Sequence, residues 1–394
     1  MPPYILPFPR LVFEVWSDSS STHGPNQLKA IVSGAAKMGW SWYSRFPASA
    51  FMSLRQDDPV NAEIIPGLDH LRVYYVNDAT GYGPVLVFNG RFGDPDESGD
   101  DVVWTAWSYL AELALSRTGY EVYYKSKQIK TIVEDEWSRD ESSGKFKDYG
   151  AKVRADSLLR HVTTGTIQNP KAANGTAEMV TDPQFGVIDV PRLLLFFDLT
   201  EIGRANTTQN TTVEISRSTT PTFNFWRDRG SAITGKRLTY PGVVRDFRHV
   251  PGVVDVRNDL ATIGQKKGKN VEIIATQDSG TYGITSFGRR QDTFAIKTLA
   301  GYPKLTNEDS KSSAQVSITK RAVKEASQPT RALQLDVRAD LFEPFDGWDI
   351  EDTIDVEISR GRTSIDRSYR IVGVRGMLDR GGYRQHLFLT VPIT

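Results

Sequence analysis

The sequence predicts a mainly β protein with inserted helices, built around two similar small β-barrels. The first observation is a stretch between Leu68 and Arg117 that predicts three strands, separated by turns and followed by a short helix. The second is a repeat of the same order of strand, turn, strand, acidic Gly-rich turn and strand between Asp352 and Val391. Because three antiparallel strands do not bury their apolar faces alone, we expect each copy to belong to a closed or nearly closed barrel.

Strands are predicted from seven short stretches before residue 118, which is enough for one barrel. They cover Leu11 to Trp16, Leu28 to Ser33, Gly39 to Tyr43, Ala50 to Arg55, Leu71 to Val76, Pro84 to Phe92 and Val102 to Trp107. Residues 93–100 are dense in turn formers, and Ser108 is placed to cap a short helix over Tyr109 to Ala114. We therefore predict a first β-barrel domain over residues 1–118.

The last part of the chain predicts the second copy. Its strands cover Asp352 to Ser359, Ser368 to Val374 and Tyr383 to Val391, and Leu333 to Val337 leads into them. Gly-containing turns separate the three strands. We therefore predict that residues 331–394 supply the strands that complete a second barrel, and that residues 119–330 form inserted mixed α/β accessory domains.

The inserted region is predicted to contain both helices and strands. Helices are expected over Arg154 to Val162, over Val190 to Ala205 with Pro191 in the first turn, and over Ser312 to Ser327 with Pro329 as the stop. Strands are expected over Tyr120 to Tyr124, Ile129 to Val133, Thr212 to Arg217, Thr222 to Arg227, Val244 to Val256 with a turn inside, Val271 to Thr276 and Thr293 to Lys297. Residues 163–181 are predicted to be a loop.

Composition limits the function classes. Lysine plus arginine (48) equal aspartate plus glutamate (48), so the chain lacks the charge excess that drives non-specific binding to nucleic acids or membranes. There is no cysteine, which excludes disulfides and thiolate nucleophiles. The N-terminus lacks the pattern of a secretory signal, and the longest apolar run, Leu193 to Phe197, is too short to span a bilayer. We expect a soluble protein.

No candidate catalytic or metal site withstands comparison with a simpler structural role. Glu134, Asp135 and Glu136 offer carboxylates for acid–base work, but no partner carboxylate is evident, and such a run is more often a solvated face. The segment Asp94 to Gly99 resembles half of an EF-hand loop, yet Thr105 stands where the bidentate Glu is needed, so a hairpin turn is favoured.

The histidines and tryptophans do not predict a metal site or a sugar-binding site either. The five histidines (His23, His70, His161, His249 and His386) are scattered, with no pair at metal-ligand spacing. The tryptophans Trp104, Trp107, Trp226 and Trp348 are predicted to be core anchors rather than sugar platforms. The sequence therefore predicts no catalytic residue, no cofactor and no metal site.

In its order of elements the chain resembles the minor tail proteins of bacteriophages, of the tail-tip or baseplate hub type found in long non-contractile tails. Leu71 to Arg117, with the strand VFNGRF, resembles the first hub barrel of this family. The segments Leu193 to Ile202 and Thr222 to Gly230 (TFNFWRDRG) resemble its inserted domains. The similarity thus extends over most of the chain.

The C-terminal part resembles the family best. Asp349 to Ile354 stands where hub proteins often have Gly-Asp-x-Val, and Glu351 replaces the Gly before Asp352. Ile365 to Val374 resembles the strand that follows in hub proteins. Because some relatives carry a peptidoglycan-cleaving extension after this strand pattern, the end of the chain at Thr394 leads us to expect none here.

The resemblance implies a structural virion protein and not an enzyme. It implies a homotrimer in which two barrels per subunit give six around the axis and so adapt a six-fold tail tube to a three-fold tip. The implied partners are the distal tail or tail tube protein above, tip or fibre proteins below, and the tape measure protein in the bore. DNA would pass through without specific binding, and the protein would assemble in the host cytoplasm into the virion tail tip.

The competing hypothesis is a β-rich carbohydrate-binding or cell-wall glycan-cleaving protein that uses tryptophans and acidic loops.

The hub hypothesis also predicts where individual residues lie. Apolar residues of the repeated strands are expected in barrel cores: Val85, Val87, Phe88, Ile371, Val372, Leu387 and Leu389. The arginines Arg91, Arg370 and Arg384 are expected to face the bore or the next subunit.

Overall fold

The structure is a computed structural model. It describes residues 9–18, 25–33, 35, 37–116, 122–124, 127–138, 158–171, 179–180, 185–187, 191–205, 209–250, 258–265, 271–277, 289, 291–295, 323 and 332–391. Every structural statement below concerns these residues.

Strands dominate the first part of the chain. They are β1 (Arg10–Asp18), β2 (Pro25–Val32), β3 (Lys37–Tyr43), β4 (Ser49–Arg55), β5 (His70–Asn77), β6 (Tyr82–Phe92), β7 (Asp96–Ser98) and β8 (Asp101–Ser108). Helix α1 (Val60–Glu63) lies between β4 and β5, and α2 (Tyr109–Leu115) follows β8. The strands and the helix predicted before residue 118 are thus confirmed, with β7 in addition.

The middle of the chain is mixed. Its elements are β9 (Val122–Tyr124), β10 (Lys127–Gln128), α3 (Ile129–Ser138), a 3-10 helix (Leu158–His161), β11 (Thr163–Ile167), β12 (Met179–Val180), β13 (Phe185–Val187), α4 (Arg192–Ala205), β14 (Thr212–Ile215), β15 (Thr222–Trp226), β16 (Ala232–Tyr240), β17 (Val244–Val250), β18 (Asp259–Gln265), β19 (Val271–Gln277) and β20 (Gln291–Ala295). The last part contains β21 (Ala332–Val337), β22 (Thr353–Arg360), β23 (Thr363–Asp379) and β24 (Gly382–Thr390).

A sheet of 14 strands contains both copies of the predicted repeat. Its main path runs β17-β21-β24-β23-β3-β4-β8-β6-β5-β1-β2, and β22, β16 and β7 branch from it. In the first copy β5, β6 and β8 form an antiparallel meander, and in the second copy β22, β23 and β24 do the same. The repeated order of strands is therefore present, although no closed barrel is found among the described strands.

The two copies join through β3 and β23. Residues Gly373 to Leu378 of β23 pair antiparallel with residues Met38 to Tyr43 of β3. The first half of β23 (Thr363 to Arg370) pairs with β22, and its second half (Arg370 to Asp379) pairs with β24. Because β3 also pairs with β4, which pairs with β8, one hydrogen-bonded ladder crosses from one copy to the other.

The large sheet and the middle of the chain have separate hydrophobic cores. The first core combines both copies and includes Phe13, Trp40, Phe88, Ile371 and Leu387, each at most 1% exposed. It forms because apolar residues alternate along the strands, as the burial of every second residue in β21 and β22 shows. The second core gathers α2, α3, α4, β14 and β15. Of the residues predicted to lie in barrel cores, Val87, Phe88, Ile371, Leu387 and Leu389 are buried, while Val85 and Val372 are half-buried.

The prediction of a strand over Ile129 to Val133 is wrong, because these residues open helix α3. Ile129, Ile132, Val133, Glu136 and Trp137 are its buried residues. Their spacing is that of one helical face, and the β-branched residues at its start concealed this pattern. The periodicity of the full segment to Trp137, rather than of its first five residues, distinguishes the two structures.

Other expectations for the middle of the chain are met in part. Helix α4 confirms the helix expected after Pro191, whereas the helix expected over Arg154 to Val162 is a 3-10 helix at its described end, Leu158–His161. Residues 163–181, predicted to be a loop, contain the strands β11 and β12. The helix expected over Ser312 to Ser327 lies outside the described residues except for Val323, which is helical and buried.

Candidate functional site

The acidic run of α3 lies beside Tyr124 in the second core. Glu134 and Asp135 are exposed, but Glu136 is fully buried, so the prediction of a solvated face is wrong for Glu136. The Tyr124 hydroxyl lies within hydrogen-bond distance of both Asp135 and Glu136, 2.6 Å from Glu136 Oε1. The structure therefore brings two carboxylates together where sequence analysis found no pair. Because Glu136 has no exposed surface, its carboxylate is out of reach of a polymeric substrate.

The acidic segment Asp94 to Gly99 forms a hairpin. Asp96–Ser98 is the strand β7, which pairs antiparallel with Asp101 to Val103 of β8. Gly99 in the turn has φ of 63°, which favours glycine. This arrangement agrees with the predicted hairpin turn.

A buried polar junction connects α4, β14 and the C-terminal strands. At its centre, Asn210 Nδ2 donates to Glu351 Oε2 at 2.7 Å and to the Arg229 carbonyl at 2.9 Å. Asn210 Oδ1 accepts from Arg204 Nη2 at 2.9 Å and from Arg370 Nη1 at 3.1 Å. One amide side chain thus joins the second core to the large sheet. Arg370, predicted to face the bore or another subunit, contacts residues of its own chain instead.

Two arginines extend this junction with ion pairs. Arg217 Nη1 lies 2.8 Å from Asp349 Oδ1, and Arg229 Nη2 lies 3.0 Å from Asp349 Oδ2. Arg229 also pairs with Glu214 of β14. Burial raises the pKa of Glu214, and the Arg229 guanidinium opposes that rise. Because Asp349 belongs to the segment that resembles the family pattern, the junction assigns this segment a role in holding the chain's parts together.

Arg91 of β6 is also turned inward. It is 6% exposed, its Nη1 donates to the Gly67 carbonyl at 2.9 Å, and its Nε lies 3.1 Å from Glu112 Oε1 of α2. The expectation that Arg91 faces the bore or the next subunit is therefore wrong. Its buried acidic partner, Glu112, lies in α2. The periodicity of the sequence does not reveal that α2 packs against β6. Arg384, by contrast, is exposed.

An aromatic concavity of about 340 Å³ opens at the β3–β4 hairpin. Its walls include Tyr43, Phe46, Phe51, Trp107 and Arg375. Phe46 is 68% exposed and Trp107 is 48% exposed. The prediction of core anchors thus holds for Trp104 and Trp348, which are buried, whereas Trp107 lies at the surface and Trp226 is half-buried.

Two of the five histidines meet in space. The rings of His70 and His161 have centroids 4.6 Å apart, and both face Asp18. Sequence analysis missed this cluster because its members come from β1, β5 and the 3-10 helix, so no local spacing connects them. The sequence offered one signal for this cluster, the acidic Asp18 at the end of the apolar strand β1.

Comparison with known proteins shows the fold. No protein-family model and no curated protein matches the sequence. Among solved structures, the chain is similar to a tail protein from Neisseria meningitidis MC58, with a TM-score of 0.55, 12% identity and 96% of each chain covered. It is also similar to the 43 kDa tail protein of prophage MuSo2 from Shewanella oneidensis, with a TM-score of 0.56, 12% identity, and 97% of this chain and 98% of that chain covered.

A third similarity is to a chain of the Francisella PdpA–VgrG complex, with a TM-score of 0.52 and 9% identity. It covers 98% of this chain and 58% of the other. The chain therefore has the fold of phage tail proteins along nearly its whole length. Among the described residues, no helix is both long enough and apolar enough to cross a membrane.

Proposed function

We propose that this protein is a structural, non-enzymatic component of a phage tail tip, a baseplate hub. The observation that carries the proposal is the fold shared with two tail proteins over at least 96% of both chains in each comparison. Such end-to-end similarity includes both meanders and the elements between them. The inward-facing polar residues described above support a role in holding the fold together rather than in chemistry.

The proposed assembly is a homotrimer. Each chain would contribute two tube-type β-barrel domains, and three chains would place six barrels around one axis. Such a ring adapts a six-fold tail tube to a three-fold tip. The antiparallel meanders β5-β6-β8 and β22-β23-β24 support this proposal, since they supply the same strand order twice. In the domain boundaries proposed, residues 1–118 and 331–394 contain these meanders and residues 119–330 the accessory domains.

The proposed partners follow from this position. A distal tail or tail tube protein would contact one side of the ring and tip or fibre proteins the other, with the tape measure protein in the bore. DNA would pass through the bore without sequence-specific binding, which agrees with a chain of equal positive and negative charge. The protein would assemble in the host cytoplasm and remain in the virion.

The test is the mass of the purified chain in solution and its place in the particle. Size-exclusion chromatography with light scattering should give three chains per assembly, and image reconstruction of the tail should place the protein at the tip. A protein that stays monomeric at high concentration and is absent from tail particles would contradict the proposal.

A second candidate function is carbohydrate binding, and the aromatic concavity favours it. Half-exposed Trp107 and exposed Phe46 offer ring faces, and Arg375 offers a hydrogen-bond donor beside them. Binding of cell-wall glycan fragments to wild type but not to Trp107→Ala, with both chains folded, would support this function. If neither chain binds glycan, the structural role stands alone.

A further inference from the structure

Three ligand-type side chains converge where the large sheet meets the second core. Asp18 ends β1, His70 begins β5, and His161 ends the 3-10 helix. Their ligand atoms all lie within 4.8 Å of one another. Asp18 Oδ1 is 3.1 Å from His161 Nε2 and 3.9 Å from His70 Nε2. The side chains are 3%, 0% and 0% exposed, so bulk water does not solvate this group of atoms.

The hydrogen bond on the far side of His70 orients its ring. Nδ1 of His70 lies 2.6 Å from the Tyr109 hydroxyl. Tyr109 is buried, and burial raises its pKa, so the hydroxyl keeps its proton. A partner on Nδ1 directs Nε2 into the cluster, and this is the arrangement in which protein histidines bind metals.

His70 Nε2 is a buried polar atom for which the structure shows no hydrogen bond. It lies 3.9 Å from the nearest oxygen of Asp18, too far for a hydrogen bond. The ring can donate through Nδ1 to the Tyr109 hydroxyl, and in that tautomer the Nε2 lone pair faces a carboxylate across this gap. Two electron-rich atoms at such a distance repel one another unless a cation lies between them, because little solvent screens them.

The two oxygens of Asp18 face different neighbours. Arg91 Nη2 lies 3.9 Å from Asp18 Oδ2, the oxygen on the other side of the carboxylate. The charge of Arg91 is offset by Glu112, whose Oε1 lies 3.1 Å from Arg91 Nε. Arg91 thus lies nearest Oδ2, whereas Oδ1 is the oxygen nearest the two imidazoles.

We propose that Asp18, His70 and His161 bind a divalent transition metal ion, Zn²⁺ in the first instance. One carboxylate oxygen and two imidazole nitrogens are a zinc ligand set, which a water molecule completes to four. Ligand distances of about 2.0–2.2 Å require only small movements of these side chains. Since His161 belongs to the middle of the chain and the other two residues to the large sheet, the ion would tie the two together.

A protonated His161 paired with Asp18 is the competing explanation, and metal binding distinguishes the two. The full-length chain is purified, dialysed against chelator and titrated with ZnCl₂ in competition with a chromophoric chelator. His161→Gln removes one ligand, Tyr109→Phe removes only the hydroxyl that orients His70, and His386→Gln changes a histidine of β24 outside the cluster. Metal content by mass spectrometry and the melting temperature are measured for each chain.

The expected result is one zinc ion per folded wild-type chain and a melting temperature that chelator lowers and zinc restores. The affinity should fall at least about 100-fold in His161→Gln and about 10-fold in Tyr109→Phe, and it should not change in His386→Gln. If His161→Gln does not fold, the wild type and Tyr109→Phe still decide the matter. A folded wild type that takes up no zinc, or a melting temperature that responds to pH but not to chelator, would overturn the proposal.

Discussion

At Glu351 the backbone has φ of 78°, a left-handed conformation that side chains other than glycine rarely adopt. The family pattern noted in the sequence has Gly at this position, and the structure gives the physical reason for it. Here the buried Glu351 carboxylate accepts from Asn210 at 2.7 Å and lies 3.7 Å from Arg370 Nη1. These polar contacts offset the backbone strain, which explains how a glutamate can replace the glycine.

Substitutions at Glu351 should separate strain from contact. Both Glu351→Gly and Glu351→Ala should lower the free energy of unfolding by about 1–3 kcal/mol, because Asn210 and Arg370 lose a buried acceptor. The alanine variant should be less stable than the glycine variant by about 1 kcal/mol, because only glycine relieves the left-handed backbone. Urea unfolding of the three chains measures this. Equal stability of the two variants would show that the backbone is not strained.

A second prediction at this scale concerns the stability of the protein against pH. Asp198 in α4 has a buried Oδ2 atom that accepts no hydrogen bond from the described residues. Burial, with a smaller contribution from Glu201, raises the pKa of Asp198 from 3.8 to about 8. The folded protein therefore holds this proton more tightly than the unfolded chain does. The contribution of Asp198 to stability is most favourable below pH of about 4 and is lost as the pH rises to about 8.

Asp198→Asn should remove this dependence. Because the side chain is partly exposed, the expected gain in the free energy of unfolding at pH 9 is about 1–2 kcal/mol, with little change at pH 4. Denaturant unfolding across this pH range, with the exposed Glu134→Gln as the control, provides the test. A variant whose pH profile runs parallel to that of the wild type would contradict the prediction.

Among the elements, strands with alternating apolar residues are predicted well from sequence. The bounds of β23 are not predicted correctly. The pattern predicts a strand over Ser368 to Val374, whereas the strand runs from Thr363 to Asp379. The first half of β23 pairs with β22, and residues near its other end pair with β3. The buried faces of the two ends are therefore set by long-range contacts rather than by local alternation. Helix α3 was missed for the opposite reason, since its helical period becomes evident only over its full length.

Gly376 in β23 is a test of how closely β23 and β3 approach. A Cβ atom at this position would overlap with the Trp40 indole and the Tyr383 hydroxyl, both of which are buried. Gly376→Ala should therefore cost about 1–3 kcal/mol of stability. Gly93 is a matched control, because a Cβ there meets its nearest atom at 3.6 Å, an ordinary contact. Gly93→Ala should change stability by about 0.5 kcal/mol or less, as thermal and urea unfolding can show.

At the scale of the whole molecule, the sequence predicted two copies of one strand order but not the ladder that joins them. The contact between β3 and β23 connects residues near opposite ends of the chain, and nothing local in either strand specifies its partner. The same limit applies to the cluster of Asp18, His70 and His161. Short-range patterns predict elements, whereas the choice of partner depends on the packing of both cores at once.

Proline at Ile371 should disrupt this arrangement as a whole. The backbone N–H of Ile371 donates to the Asp352 carbonyl at 2.8 Å, and the side chain is fully buried. Ile371→Pro removes this donor inside a strand that has partners on both edges, and it should cost about 3 kcal/mol or more. Circular dichroism and light scattering should show loss of folded protein and of the proposed trimer. Ile371→Val, which keeps the N–H, should retain both, and an Ile371→Pro chain that assembles like wild type would contradict this prediction.

The length of β23 and the pairing of its second half on both edges have a mechanical consequence. Load applied along this strand acts on many of its ladder hydrogen bonds together, so they must break in concert. Load applied across it would instead open neighbouring pairs one after another, which requires far less force. The ladder from β22 through β23 to β3 and β4 is therefore stiff in one direction and compliant in the other.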